Sequence, residues 1–375
     1  MADPSMPTVL QVLPSLVAGG VERGTLEIAE AIIGAGGQAL VASAGGSLVG
    51  PLERLGARHI TLPLRTKNPL AMLRNAAALA RLVAAERVGI IHARSRAPAW
   101  SAWLAARRSG AHFVTTYHGT YNEGFAGKRF YNSVMARGER VIAISEFIAD
   151  HVRERHGTDA GRLRVIPRGV DPRRFDPALV PPESLAALRA EWRLPEGCPV
   201  VMLPARLTRW KGQGVLLDAM ARLPGNAVAV LVGDGGSGWR RTLVARAGEL
   251  GLADRLRLVG HTDDMAAALL LADVVVHAST DAEAFGRTVI EAQAMARPVI
   301  AADLGGPRET VEHGVTGWRV PPGDPAALAA AIGAALALPA ADLAAMGQRA
   351  RAHVLAHYTT EAMQAATLAV YRELA

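Results

Sequence analysis

Two glutamates frame the stretch Glu283-Ala284-Phe285-Gly286-Arg287-Thr288-Val289-Ile290-Glu291, which follows the apolar run Val274-Val275-Val276-His277. The run reads as a buried strand, and the spacing from Thr288 through Met295 predicts a helix. The turn between them would carry Glu283 and Gly286 at the open end of a parallel sheet, where α/β proteins bind ligands. Gly286 lets a ligand approach the backbone, and the helix start offers unpaired N–H groups and a positive dipole end to an anion. Glu291 lies one turn beyond Arg287 and can face the same pocket. Two carboxylates flanking an anion site suit a ligand with hydroxyl groups at both ends and phosphate in the middle, as in a nucleotide-sugar. Either glutamate alone reads as well as a solvated acid, so the pair takes its meaning from the rest of the chain.

A second cluster follows the apolar run Val200-Val201-Met202-Leu203, in Ala205-Arg206-Leu207-Thr208-Arg209-Trp210-Lys211-Gly212. Arg206 and Lys211 would stand beside a helix starting near Gly214. Two cations at a strand's carboxyl end can neutralise a diphosphate and stabilise it as a leaving group. Lysine occurs only at positions 67, 128 and 211, against 38 arginines, so each lysine marks a place for a compact ammonium. Gly233-Asp234-Gly235 and Gly260-His261-Thr262-Asp263-Asp264 add two loops on the same rim.

These residues need a scaffold, and the chain supplies alternating strand and helix patterns. In the first half, strands are expected at Val9–Leu13, Ala39–Ser43, Val88–His92, His112–Tyr117, Val141–Ile144 and Val165–Pro167. The first leads through Pro14-Ser15-Leu16-Val17-Ala18 to Gly19-Gly20 and a helix over Val21–Ile33. That is a close-approach loop, but not a G-x-G-x-x-G fingerprint. Two strands end in polar clusters, His92-Ala93-Arg94-Ser95 and Tyr117-His118-Gly119-Thr120, as the rim of a crevice would. Leu70–Ala85 and Phe147–Arg155 read as helices. The Pro-rich span Asp176–Pro199 reads as a connection with one short helical piece. The second series has strands at Val200–Leu203, Ala227–Val232, Leu256–Val259, Val274–His277, Val299–Ala301 and Trp318–Val320. Asp263 is expected to cap the helix Met265–Leu271. The order implies an α/β protein of two Rossmann-like halves with parallel sheets, facing each other across a central cleft.

Composition narrows the classes. The chain of 375 residues is half hydrophobic, enough for two domains with sizeable cores. Cys198 is the only cysteine, which excludes a disulfide framework and a cysteine metal site and fits a reducing compartment. Met1–Pro7 has no basic run ahead of the short apolar stretch, and no span of about 18 apolar residues occurs, so a soluble or peripheral protein is expected. Residues 51–140 hold fifteen Lys/Arg and four Asp/Glu, a net of +11, against +7 for the whole chain. A positive field concentrated in one half points to an anionic partner there. The face carrying Arg74 and Arg81 could lie on an anionic membrane or be an ordinary solvated helix face. His92, His261 and His277 show no metal-ligand spacing.

The motifs R-L-x-x-x-K-G at Arg206–Gly212, G-D-G at 233–235, G-x-x-x-D at Gly260–Asp264 and E-x7-E at Glu283–Glu291 resemble, in this order, those of retaining glycosyltransferases of family 4, with the GT-B fold. Gly19-Gly20 resemble the family's glycine-rich loop, Thr116-Tyr117-His118 its T-x-H, and Gly169-Val170-Asp171 through Phe175 its G-V-D-x-x-x-F. The resemblance implies an acceptor-binding domain over 1–180, a nucleotide-sugar-binding domain over 199–357, and a terminal helix over about 358–375 that crosses back onto the first domain. It implies that Arg206 and Lys211 bind the donor diphosphate, Glu291 the ribose hydroxyls and Glu283 those of the transferred sugar. Amides after Phe285 and Gly286, with Arg287 and Gly233, would lie at the donor, and Gly19-Gly20 would close over the diphosphate. His118 would lie near the transferred sugar. Arg168 departs from the asparagine common before G-V-D, and its role is open.

The expected reaction is transfer from a nucleoside-diphosphate sugar with retained configuration and no cofactor. No Asp-x-Asp pattern sits on a suitable loop, so metal independence is expected. Arg65, Lys67, Arg74, Arg94, Arg96, Arg107 and Arg108 favour an anionic acceptor at a membrane, such as lipopolysaccharide core or a glycolipid. That implies a cytoplasmic protein with peripheral contact on the inner face of the cell membrane. A small cytosolic acceptor, or a non-catalytic nucleotide-sugar binder, are the alternatives. A glycoside hydrolase using Glu283 and Glu291 lacks a water-activating arrangement. A nucleic-acid module lacks any helix-turn-helix or RNA-binding signature.

Overall fold

The computed structural model describes residues 6–17, 19–124 and 126–375. The leading residues 1–5, expected to carry no targeting signal, and Ala18 of the glycine-rich turn lie outside the described residues. Two compact units emerge: Met1–Arg168 with Thr360–Ala375, and Gly169–Thr359.

The first unit is built on seven parallel strands. They are β1 (Val9–Val12), β2 (Ala39–Ser43), β3 (Arg58–Thr61), β4 (Ile90–Ala93), β5 (His112–Tyr117), β6 (Arg140–Ala143) and β7 (Leu163–Val165). Their order is β3-β2-β1-β4-β5-β6-β7. The order reverses between β1 and β4, so the loops leaving those two strands diverge and open a crevice at their carboxyl ends. β1, β2 and β4 are buried along their whole length, as strands covered by helices on both faces must be. Register is fixed by Val9 opposite both Ala39 and Ile90. β3 was not anticipated. It is an edge strand with one aliphatic residue, Ile60, and an exposed start and end.

The helix Thr360–Arg372 completes this unit. Met363, Leu368 and Tyr371 enter the same core as Val9, Leu13, Ile28 and Ile90. Tyr371 Oη lies 2.7 Å from His92 Nδ1, and Gln364 Nε2 donates to Glu27 O at 2.7 Å. Glu373 receives Arg164 and Arg140, which pull its carboxyl down to about 2.

The second unit carries β8 (Val200–Pro204), β9 (Val228–Val232), β10 (Leu256–Gly260), β11 (Val274–His277), β12 (Val299–Ala302) and β13 (Gly317–Val320). The order is β10-β9-β8-β11-β12-β13, with its reversal between β8 and β11. Val201, Leu203, Leu231, Val274 and Val276 form its core with Leu216 and Ile332. Each such side chain contributes about 1.5–3 kcal/mol when fully buried. The first unit ends at Arg168, earlier than residue 180, because the following segment pairs within the second unit. Val170 bridges Thr359, and Arg351 donates to Phe175 O at 3.1 Å and pairs with Asp176 at 3.2 Å. The cap of the helix Met265–Leu270 is Asp264, not Asp263: Asp264 Oδ1 accepts from Ala267 N at 3.0 Å. Asp263 falls one position too early for that bond. Among the described residues no single helix is long and apolar enough to cross a membrane.

Candidate active site

In the second unit the loops leaving β8 and β11 meet because those strands are neighbours at the reversal. Thr280 N donates to Trp210 O at 2.8 Å and ties the two loops together. Gly212, at φ 76°, then turns the chain into the helix Gln213–Met220. Buried Gln213 fixes the loop from below, donating to Arg206 O at 2.9 Å and accepting from Trp239 Nε1 at 3.3 Å. Gly233, at φ 139°, lets its loop lie against Ala205, whose carbonyl oxygen would sit 2.4 Å from any Cβ.

This frame presents Lys211 to Glu283. Lys211 Nζ lies 2.6 Å from Glu283 Oε1 and 4.4 Å from the Trp210 ring centre. Glu283 Oε2 meets His277 Nε2 in a short contact and accepts from Ser279 Oγ at 3.3 Å. The backbone is fixed as well, since Gly306 N donates to Glu283 O at 2.8 Å. Burial opposes ionisation of Glu283, but His277 and then Lys211 overcome it and hold the carboxyl far below the usual carboxylate range. The result is an ionised acceptor with both oxygens oriented, beside an ammonium with three donors.

Gly286 caps the helix Arg287–Ala294 at φ 85°. Phe285 is buried, its ring packed edgewise on Tyr358 with centroids 5.8 Å apart. Arg287 Nε lies 3.8 Å from Glu291 Oε1, one turn on. Arg206 is exposed and makes no ion pair among the described residues. Sequence reasoning left His277 without a task. The available signal was a histidine closing an apolar strand, six residues before the acid it orients.

In the first unit His118 follows β5. Arg168 Nη2 lies 2.5 Å from His118 Nδ1. A guanidinium only donates, so Nδ1 must be the accepting nitrogen and the proton sits on Nε2. His118 Nε2 is buried and has no partner among the described residues. Burial, then Arg168, Arg94 and His92, hold its pKa well below the ordinary histidine value. His118 is thus a neutral imidazole that offers an N–H at Nε2 and cannot accept a proton there. Arg168, the departure from the family pattern, sets this tautomer. Gly19, at φ 135°, precedes the helix Gly20–Gly34. Arg94 is not a surface cation as expected: it is 2 % exposed and donates to Gln11 Oε1 at 3.0 Å. Gly24 makes room for it, since a Cβ there would meet Arg168 Nη1 at 2.6 Å and Arg94 Nη2 at 3.0 Å.

His92 is fully buried between Tyr371 and Thr116, with Nε2 2.7 Å from Thr116 Oγ1. Burial, then Arg94 and Arg168, lower its pKa well below the ordinary value. For groups depressed in the folded state, the unfolded chain takes up protons first. Their stabilisation is present above about pH 6.5 and is lost as pH falls below that toward the folded values. The melting temperature should therefore fall between pH 7.5 and 5, ahead of carboxylate titration, with a shallower slope in His92→Gln. A flat profile over that range would contradict the burial of His92 and His118.

Residues 186–353 match the family described as glycosyl transferases group 1, and residues 18–174 match glycosyltransferase family 4. The chain is similar to a D-inositol 3-phosphate glycosyltransferase of Nocardia farcinica, 36 % identical over 59 % of this chain and 49 % of that one. The matched stretch thus spans about half the length of that curated relative. Among solved structures, a glycosyltransferase from Rickettsia africae is 36 % identical with a TM-score of 0.92, covering 98 % of each chain. Anabaena Alr3699/HepE, solved with UDP and glucose, is 26 % identical with a TM-score of 0.85, covering 97 % of this chain and 99 % of that one. With both of its parallel-sheet units accounted for by these matches, the chain belongs to the group 1 glycosyltransferases of the GT-B fold.

Proposed function

We propose that this chain transfers a glycosyl unit from a nucleoside-diphosphate sugar to an anionic acceptor, with retained configuration and without metal or other cofactor. The observation that carries the reading is Lys211 held on an ionised Glu283 at the reversal of the second sheet, with Arg206 exposed nearby. The acceptor hydroxyl forms a bond to the anomeric carbon as the bond to the diphosphate oxygen breaks on the same face. The electron pair leaves with the diphosphate, which takes up the acceptor's proton. Arg206 and Lys211 meet the charge that develops there, and the helix start after Gly286 adds its dipole. Glu283 accepts from hydroxyls of the transferred sugar and Glu291 from those of the ribose. UDP in the Anabaena relative makes uridine the first base to test, and the inositol 3-phosphate in the name of the Nocardia relative favours a phosphorylated acceptor.

Exposed Leu70 and Leu73 beside Arg74 and Arg81 support peripheral contact with an anionic membrane, as a lipid-linked acceptor would need. A soluble phosphorylated acceptor is the second reading, favoured by that same relative. The test is thermal denaturation with UDP, GDP, ADP and CMP, with and without magnesium, on wild type and Glu291→Ala. A ligand at 100 times its dissociation constant stabilises by about 2.7 kcal/mol, a shift of several degrees. One nucleoside diphosphate should raise the melting temperature without metal and lose that effect in the variant. No shift with any nucleotide would overturn the donor assignment.

A further inference from the structure

The helix Arg287–Ala294, which starts at Gly286 and carries Glu291, has only eight residues. Two turns are too few to hold a helix by backbone bonds alone. Its start is a left-handed glycine with no side-chain cap, so neighbouring elements must set where it lies. The helix Ala340–His357 packs along it. Gly347 permits the approach, since a Cβ there would lie 2.1 Å from the carbonyl oxygen of Ala296, just past the end of the shorter helix.

Two side chains reach the two ends of the shorter helix. Arg351 Nη1 donates to Ala294 O, one of the closing carbonyls that no helical N–H reaches, and its charge suits the negative end of the helix dipole. The same nitrogen donates to Phe175 O at 3.1 Å, and Nη2 pairs with Asp176 Oδ1 at 3.2 Å. Those anchors are themselves fixed: Phe175 is buried, and Asp176 Oδ1 accepts from Ala178 N at 3.0 Å. At the opposite end stands Tyr358, the residue after the long helix. Its ring packs on Phe285, and its hydroxyl donates to Glu309 O at 3.1 Å. Glu309 belongs to the short helix Pro307–Thr310, and Gly306, just before that helix, holds Glu283 O. Tyr358 O accepts from Val170 N at 2.9 Å, so the tyrosine is held from behind.

We propose that Arg351 and Tyr358 are positioning residues for the donor. Arg351 fixes the far end of the helix Arg287–Ala294 and Tyr358 the turn before it. Together they aim the helix start at Gly286 toward the diphosphate and Glu291 toward the ribose, and they act through that helix without touching the nucleotide. A misplacement of about 1 Å in such a frame can lower activity by about 10²-fold. This assignment rests on the transferase reading in taking Gly286 and Glu291 as donor contacts; the bracing of the helix does not.

Calorimetry with UDP, GDP and ADP on the full-length protein would be paired with hydrogen exchange of its amides. Arg351→Met and Tyr358→Leu should each weaken binding of whichever nucleotide the wild type takes by at least fivefold. Arg351→Lys keeps the charge beside Asp176 but not a fork that reaches two carbonyls, and should recover only part of the loss. In Arg351→Met the amides of residues 287–294 should exchange faster relative to those of β9. Leu243→Ala opens the core of the same unit from the helix Ser237–Glu249; it should lower the melting temperature as far and leave affinity within twofold of wild type. Nucleotide affinity unchanged in both brace variants, or lost equally in Leu243→Ala, would overturn the positioning role. Should Arg351→Met fail to fold, Arg351→Lys and Tyr358→Phe, which loses only the Glu309 bond, decide it in the same way. A wild type that binds no nucleotide, with exchange still raised selectively in Arg351→Met, would keep the brace and lose the donor reading. No selective rise would remove the brace as well.

Discussion

Replacing Lys211 by alanine is expected to lower kcat/KM for sugar transfer by about 10²–10³-fold, the usual cost of deleting one preorganised charge contact to a transition state. Lys211 serves two partners in the proposed reaction. It orients Glu283 from 2.6 Å, and its remaining donors face the departing diphosphate. The larger part of the loss should fall on kcat, because the diphosphate gains charge only as the glycosidic bond breaks. Glu283 keeps His277 and Ser279, so the variant should remain folded. Lys211→Arg restores the charge but not the compact ammonium, and should fall between wild type and alanine. Arg206→Ala should move activity in the same direction. Steady-state kinetics with the nucleotide-sugar chosen by the nucleotide panel decide the matter: turnover within threefold of wild type for Lys211→Ala would remove it from the mechanism.

The largest effect on stability is expected at the next residue. Gly212 has φ 76°, and a Cβ there would lie 1.8 Å from the carbonyl oxygen of Ala278. An alanine meets a left-handed backbone cost of about 1–2 kcal/mol. Overpacking adds roughly 1–3 kcal/mol, because the crowded atom is backbone and cannot rotate away. Gly212→Ala should therefore lose about 2–5 kcal/mol, and the forced separation of the β8 and β11 loops should also pull Lys211 from Glu283. Gly214, two residues on, has open space where its Cβ would be, and Gly214→Ala should be neutral to slightly stabilising. Urea denaturation of the two variants side by side tests the contrast, and equal midpoints would contradict the crowding at Gly212.

Much of this architecture was legible because buried parallel strands carry strong, local signals. Val274–His277, Ala39–Ser43 and His112–Tyr117 were read to the residue. Two of the elements that were missed lack that signal. β3 is an edge strand holding a histidine, an arginine and a single aliphatic residue. The helix Arg96–Ser109 buries Pro98, Ala99, Ser101, Ala102, Ala105 and Ala106, a face of small residues with little hydrophobic contrast. At the site, residue types alone brought Lys211 and Glu283 forward as candidates. Their direct pairing, the contact of His277 with Glu283, and the grip of Arg168 on His118 depend on which strand ends become neighbours. Arg168 and His118 are 50 residues apart, and no local pattern encodes their meeting.

The return of Thr360–Ala375 to the first unit has a consequence for synthesis. The second unit is one continuous stretch and can fold as soon as it clears the ribosome. The first cannot: Tyr371, Met363 and Leu368 belong to its core, and Glu373 ties Arg140 to Arg164, so part of its packing is made only after the whole second unit has been synthesised. Until that helix emerges, the strands of the amino-terminal sheet lack those partners, and the later unit can finish folding before the earlier one.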